Sequence, residues 1–105
     1  MAEVAPQFET KDDEGTTTLF ATTVGTTAVQ VPASAGNNIS ELLIRCATDN
    51  SPVTKRLLWS LDDTTYHTLA PGEFVGWEPQ GTLTQIYLKG NVASVSYEVI
   101  MNREL

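Results

Sequence analysis

Few residues of this chain have the chemistry for a reaction. His67 is the only histidine and Cys46 the only cysteine. A histidine-based metal site needs further ligands of matching type, and the sequence offers none at ligand spacing. Ser, His and Asp are all present, but no G-x-S-x-G elbow occurs to expose a nucleophile. Cys46 lies in the apolar run ELLIRCAT, where a buried, inert thiol is expected. Arg45 is a poor activator for it, because successive strand residues face opposite ways. Glu73 and Glu78 flank a short apolar stretch, with nothing to fix their separation or raise one pKa as a carboxylate pair requires. Asp62 and Asp63 lack the spacing of an EF-hand loop and read as a turn. These residues point to a non-enzymatic protein with no metal and no cofactor.

The aromatic residues are better placed for binding. Trp59 lies between Leu57 and Leu61 and reads as core. Trp77, between Gly76 and Glu78, is the stronger surface candidate. With Tyr66 and Tyr87 it could form a sugar-stacking platform or a protein contact. Exposure of the three on one face would favour sugar, and burial at a subunit contact would favour assembly.

The elements that position these residues are strands. Threonine is abundant, at 15 of 105 residues, and alternates with valine and leucine from Thr16 onward. Branching at Cβ suits a pleated surface better than a helix. The alternation predicts strands near 17–23, 27–32, 41–48, 55–61, 65–70, 73–78, 83–89 and 94–102. Pro32 cannot donate to a ladder, so it ends the second strand or lies on an edge. The cluster Asp49-Asn50-Ser51-Pro52 suggests that 41–48 and 55–61 form a hairpin. In the latter, Leu57, Trp59 and Leu61 fall on one face. Seven or eight short strands with Gly, Pro, Asn and Asp between them predict an antiparallel β-sandwich or jelly-roll-like barrel.

Residues 1–15 differ from the rest. They hold five acidic residues against Lys11, with Val4 and Phe8 isolated among them. They are expected to form an extended acidic arm, leaving 16–105 as the β-domain. The whole chain carries a net charge of −7. That argues against nucleic acid and against a basic membrane-surface module, since both need a Lys/Arg footprint. A lone cysteine excludes an intrachain disulfide. No signal peptide or membrane helix is visible, so a soluble product made in a cytoplasm is expected.

Several local motifs occur in order. A strand ends in Ser60-Leu61-Asp62; a turn, Tyr66 and the corner Pro71-Gly72-Glu73 follow; then come IYLKG and a closing strand with YEV. In these, the segment from about Leu42 to Asn102 resembles small virion structural proteins of tailed bacteriophages. Such proteins are all-β and decorate or cement the capsid, or fit to its tail or fibres. Asp63 departs from the pattern, since such turns often carry Gly there. The resemblance implies a virion location, with the major capsid protein or other virion subunits as partners, and a homo-oligomer. The expected contacts are Val4 and Phe8 on the arm and a mixed face of Leu43, Leu58, Val75 and Trp77, with Tyr66 and Tyr87 as further candidates. Alternatives are a tail, connector or fibre component, and a carbohydrate-binding β-sandwich.

Overall fold

The computed structural model describes residues 15–104, and side chains from Thr17 onward. All eight expected strands are present, and no helix occurs among the described residues. They are β1 (Gly15–Val24), β2 (Val29–Val31), β3 (Ile39–Cys46), β4 (Leu57–Ser60), β5 (His67–Leu69), β6 (Phe74–Trp77), β7 (Ile86–Gly90) and β8 (Val95–Glu104). The acidic segment expected over 1–15, with Val4 and Phe8, lies outside the described residues except at Gly15.

Two four-stranded sheets form. Sheet I has the order β1-β8-β3-β6 and sheet II the order β2-β7-β4-β5. Every strand pair is antiparallel. β4 pairs with β5, β3 with β6, β2 with β7 and β1 with β8. The chain is thus one long antiparallel ribbon, doubled back at the β4–β5 turn and wrapped so that β8 meets β3 and β7 meets β4. This is the double-sheet jelly roll, which realises the expected all-β architecture.

The expected hairpin between 41–48 and 55–61 does not form. β3 belongs to sheet I and β4 to sheet II. The Asp49–Pro52 cluster reverses the chain while carrying it from one sheet to the other. Asn50 is buried and bonds to β8 instead. Its Nδ2 donates to the carbonyls of Ala47 and Ser96, each at 2.9 Å, and its Oδ1 accepts from the Ser96 amide at 2.7 Å. The Ala47 amide still bonds to the Ser96 carbonyl at 3.1 Å, and the Asn50 side chain prolongs the β3–β8 ladder beyond it.

The core lies between the sheets. Leu42, Ile44 and Cys46 of β3 face Leu57, Ile86 and Leu88 of sheet II, and all are fully buried. Val95, Tyr97, Val99 and Met101 supply the inner face of β8. Full burial of each aliphatic side chain is worth about 1.5–3 kcal/mol. A β-bulge between Ile39 and Glu41 shifts the register, so Ile39 and Leu42 are both buried despite their odd spacing. The Ser40 hydroxyl, at the bulge, donates to the Asn102 carbonyl at 2.9 Å. Cys46 is buried as expected, and desolvation pushes its thiol pKa up.

The β4–β5 turn is built by side chains. The Ser60 hydroxyl donates to Asp62 Oδ1 at 2.9 Å and accepts the amides of Asp62 and Asp63. Asp62 Oδ1 also accepts the amides of Thr64 and Thr65. These amide bonds, with the Ser60 hydroxyl, hold the Asp62 carboxyl below its usual range. Asp63 has φ 62°, the left-handed conformation that glycine adopts most easily. β4 stops at Ser60, so Leu61 does not join the face of Leu57 and Trp59 and is 40% exposed. At the next corner Gly72, with φ 88°, donates its amide to the Cys46 carbonyl at 2.7 Å. Pro71-Gly72-Glu73 thereby passes the chain from sheet II back to sheet I.

Candidate interaction surface

The strand registers decide which side chains share a surface. On the outer side of sheet I, Leu19 pairs with Ile100, Ile100 with Leu43, and Leu43 with Gly76. The next row is Ala21, Glu98, Arg45 and Phe74. Leu19, Leu43, Arg45, Phe74, Glu98 and Ile100 line a shallow hollow of about 370 Å3. Leu19 and Phe74 are each 62% exposed, an unusual state for large apolar side chains on regular strands. Gly76 leaves Leu43 uncovered at the β6 edge. Arg45 Nε donates to Glu98 Oε1 at 2.7 Å, and Arg45 Nη2 lies 2.6 Å from the same oxygen. The pair is partly exposed, so it adds little to stability, but it fixes a polar centre within an apolar rim.

This face continues into a more polar trough of about 330 Å3, lined by residues including Ala21, Thr23, Thr48, Asp49 and Ser96. At the opposite end, Thr17 Oγ1 donates to Asn102 Oδ1 at 3.3 Å.

The expected contact residues are divided among three places. Leu43 is on the outer face of sheet I. Leu58, Tyr66 and Tyr87 are on the outer side of sheet II. There Lys89 Nζ sits 4.2 Å above the Tyr66 ring, and Gln30 Nε2 donates to the Tyr87 hydroxyl at 3.3 Å. The Tyr66 hydroxyl bonds to the Asp63 carboxylate. Desolvation, then that bond and the carboxylate charge, push the Tyr66 pKa up to about 12.

Val75 and Trp77 point inward. Val75 pairs with Ile44 and Trp77 with Leu42, both fully buried, and both pack against the core. The mixed face of Leu43, Leu58, Val75 and Trp77 is therefore corrected: these four share no surface. The neighbours of Trp77 in sequence, Gly76 and Glu78, belong to the other side of the strand and say nothing of its own side. Trp77 instead meets Trp59 across the gap between the sheets, at 5.4 Å between ring centroids. His67 is exposed and lies 4.6 Å from Trp59. Trp77, Tyr66 and Tyr87 thus do not combine into one stacking platform.

Leu19 and Phe74 are the contact candidates that sequence reading misses. They are 55 positions apart and share a face only through the β1-β8-β3-β6 order. No group of three or more His, Cys, Asp or Glu among the described residues is placed to hold a metal ion. No helix among them is long and apolar enough to cross a membrane. Compared with known proteins, the chain matches no family model, no curated protein and no solved structure.

Proposed function

We propose that this chain is a non-enzymatic virion structural protein of a tailed bacteriophage, of the capsid decoration or cement type, which docks on the major capsid protein. The observation that carries the reading is the outer face of sheet I, with Leu19 and Phe74 exposed around the Arg45–Glu98 pair. An apolar rim with an ordered charge at its centre suits a protein contact better than open solvent. The jelly roll agrees with the reading, since virion proteins use it, but it also serves lectins and enzymes. The motifs from Ser60 to Glu73 are the further support: the Ser-x-Asp turn and the Pro-Gly-Glu corner each form a chain reversal held by hydrogen bonds.

Cementing requires that each copy bury surface on the shell, and many weak contacts acting together can then stabilise it. The test uses capsids of the encoding phage assembled without this protein. Added protein is expected to co-sediment with them and to raise their resistance to heat and osmotic shock. Phe74→Ser is expected to abolish both effects while leaving the thermal unfolding of the free protein nearly unchanged. Absence of binding at micromolar protein would refute the reading.

A further inference from the structure

The two sheets have four edges, and three are blunted. β2 has three residues and runs into Pro32; β5 has three; β6 has four and is followed by Pro79. Such short or proline-ended edges offer little to a passing strand. β1 is different. It runs for ten residues, GTTTLFATTV, in unbroken register with β8. It has no proline, no charged residue and no bulge. Among the described residues its only strand partner is β8. Alternate residues of an edge strand turn their N–H and C=O groups away from the ladder, so half of this strand presents open hydrogen-bonding groups.

We infer that β1 pairs antiparallel with the β1 of a second copy, about a two-fold axis through Leu19, to join two sheets into one of eight strands. The occupant is chosen by charge and by symmetry. The chain carries −7, so copies repel one another. β1 is a stretch where they can meet without like charges. An isologous contact needs a segment complementary to itself. Centred on Leu19, the pairing sets Thr18 against Phe20 of the other copy, Thr17 against Ala21 and Thr16 against Thr22. These are neutral β-formers, of the kind that stabilise cross-strand pairs.

The same register accounts for Leu19. This residue sits at the middle of the strand and is 62% exposed. Pairing places it beside the Leu19 of the second copy. The row Leu43–Ile100–Leu19 then continues without interruption into its symmetry mate. Leu19 belongs to both the strand edge and the rim of the hollow, whereas Phe74 lies on β6 at the opposite edge of sheet I, so the pairing leaves Phe74 open to a docking partner.

Sedimentation of the full chain between about 1 and 500 μM tests the association. A monomer–dimer equilibrium is expected, tighter in 0.5 M salt than in 0.05 M because screening weakens the mutual repulsion. Leu19→Lys is expected to weaken it at least tenfold, since a charged side chain blunts an edge. Two cysteine variants then test the register. Directly opposed residues have Cα atoms about 4.5–5.5 Å apart, within disulfide range. Thr23 lies roughly 27 Å along the strands from its mate in the proposed pairing. Under mild oxidation Leu19→Cys is expected to cross-link into dimers at least tenfold faster than Thr23→Cys, which samples the same face by collision. Cys46 is buried and does not compete. A monomer at every concentration, or equal cross-linking of the two variants, would overturn the inference.

Discussion

Replacing Asn50 with alanine removes one small side chain from a loop, yet the loss should be large. The side chain makes three bonds of 2.7–2.9 Å to the backbone of Ala47 and Ser96 and a longer one to Cys46 Sγ. A net value of about 1 kcal/mol for each strong bond gives a loss of about 3 kcal/mol, and the Ser96 amide is left facing a partly buried gap. With a urea m-value of about 1.5 kcal/mol/M, the midpoint falls by about 2 M at unchanged slope. Asn50→Asp adds a pH signature. Its carboxylate keeps an acceptor for the Ser96 amide but turns an oxygen toward the Ala47 and Ser96 carbonyls. Repulsion and burial then raise the folded-state pKa above the unfolded value near 4. No penalty exists while both states are protonated; it grows as pH rises through that value and is complete above the folded pKa. The aspartate variant is thus expected to lie closest to wild type below pH 4 and farthest from it at pH 7. A loss below about 1 kcal/mol for Asn50→Ala would refute the view that this side chain extends the β3–β8 ladder.

Cys46 is expected to resist alkylation in native buffer and to react fully in denaturant, because burial raises its pKa and shields it. The Tyr66 pKa, near 12 against about 10 when unfolded, implies stability that is present below pH 10 and lost as pH rises toward 12; Tyr66→Phe should show a shallower alkaline loss when unfolding is followed between those values. A methyl group at Gly90 would meet Val95 Cγ2 at 2.6 Å and the Val92 carbonyl at 2.7 Å, so Gly90→Ala is expected to cost about 1–3 kcal/mol by chemical denaturation. Ser94 has φ 62°, so Ser94→Gly is expected to raise the urea midpoint slightly, by about 0.5–1 kcal/mol of stability.

The strands were legible because their alternation is strong. Val95, Tyr97, Val99 and Met101 announce a buried face, and the structure buries all four. The pairing was not legible. A turn cluster such as Asp49–Pro52 marks where the chain reverses, but not whether it returns in the same sheet. Ser60 shows a second blind spot. Its polarity suggests exposure, yet it is fully buried because the turn folds back over its hydroxyl. Trp77 shows a third: glycine and glutamate on either side suggest a surface, while its register with Leu42 puts it inside. The surface around Leu19 and Phe74 depends on the order of four strands, and no local pattern in either segment encodes that order.

The nesting of the ribbon also has a consequence for how the chain folds. β4 and β5 are joined by residues 61–66, whereas β1 and β8 close a loop spanning residues 25–94. Loop-closure entropy grows with that separation, so assembly should spread outward from the β4–β5 tip and finish with the first and last strands. Substitutions in the β4–β5 turn should slow folding, and those on β1 should chiefly hasten unfolding. The strand that joins last is then also the first to come away. Exchange of β1 between copies is thereby the most accessible route to a swapped assembly, with the rest of the domain left intact.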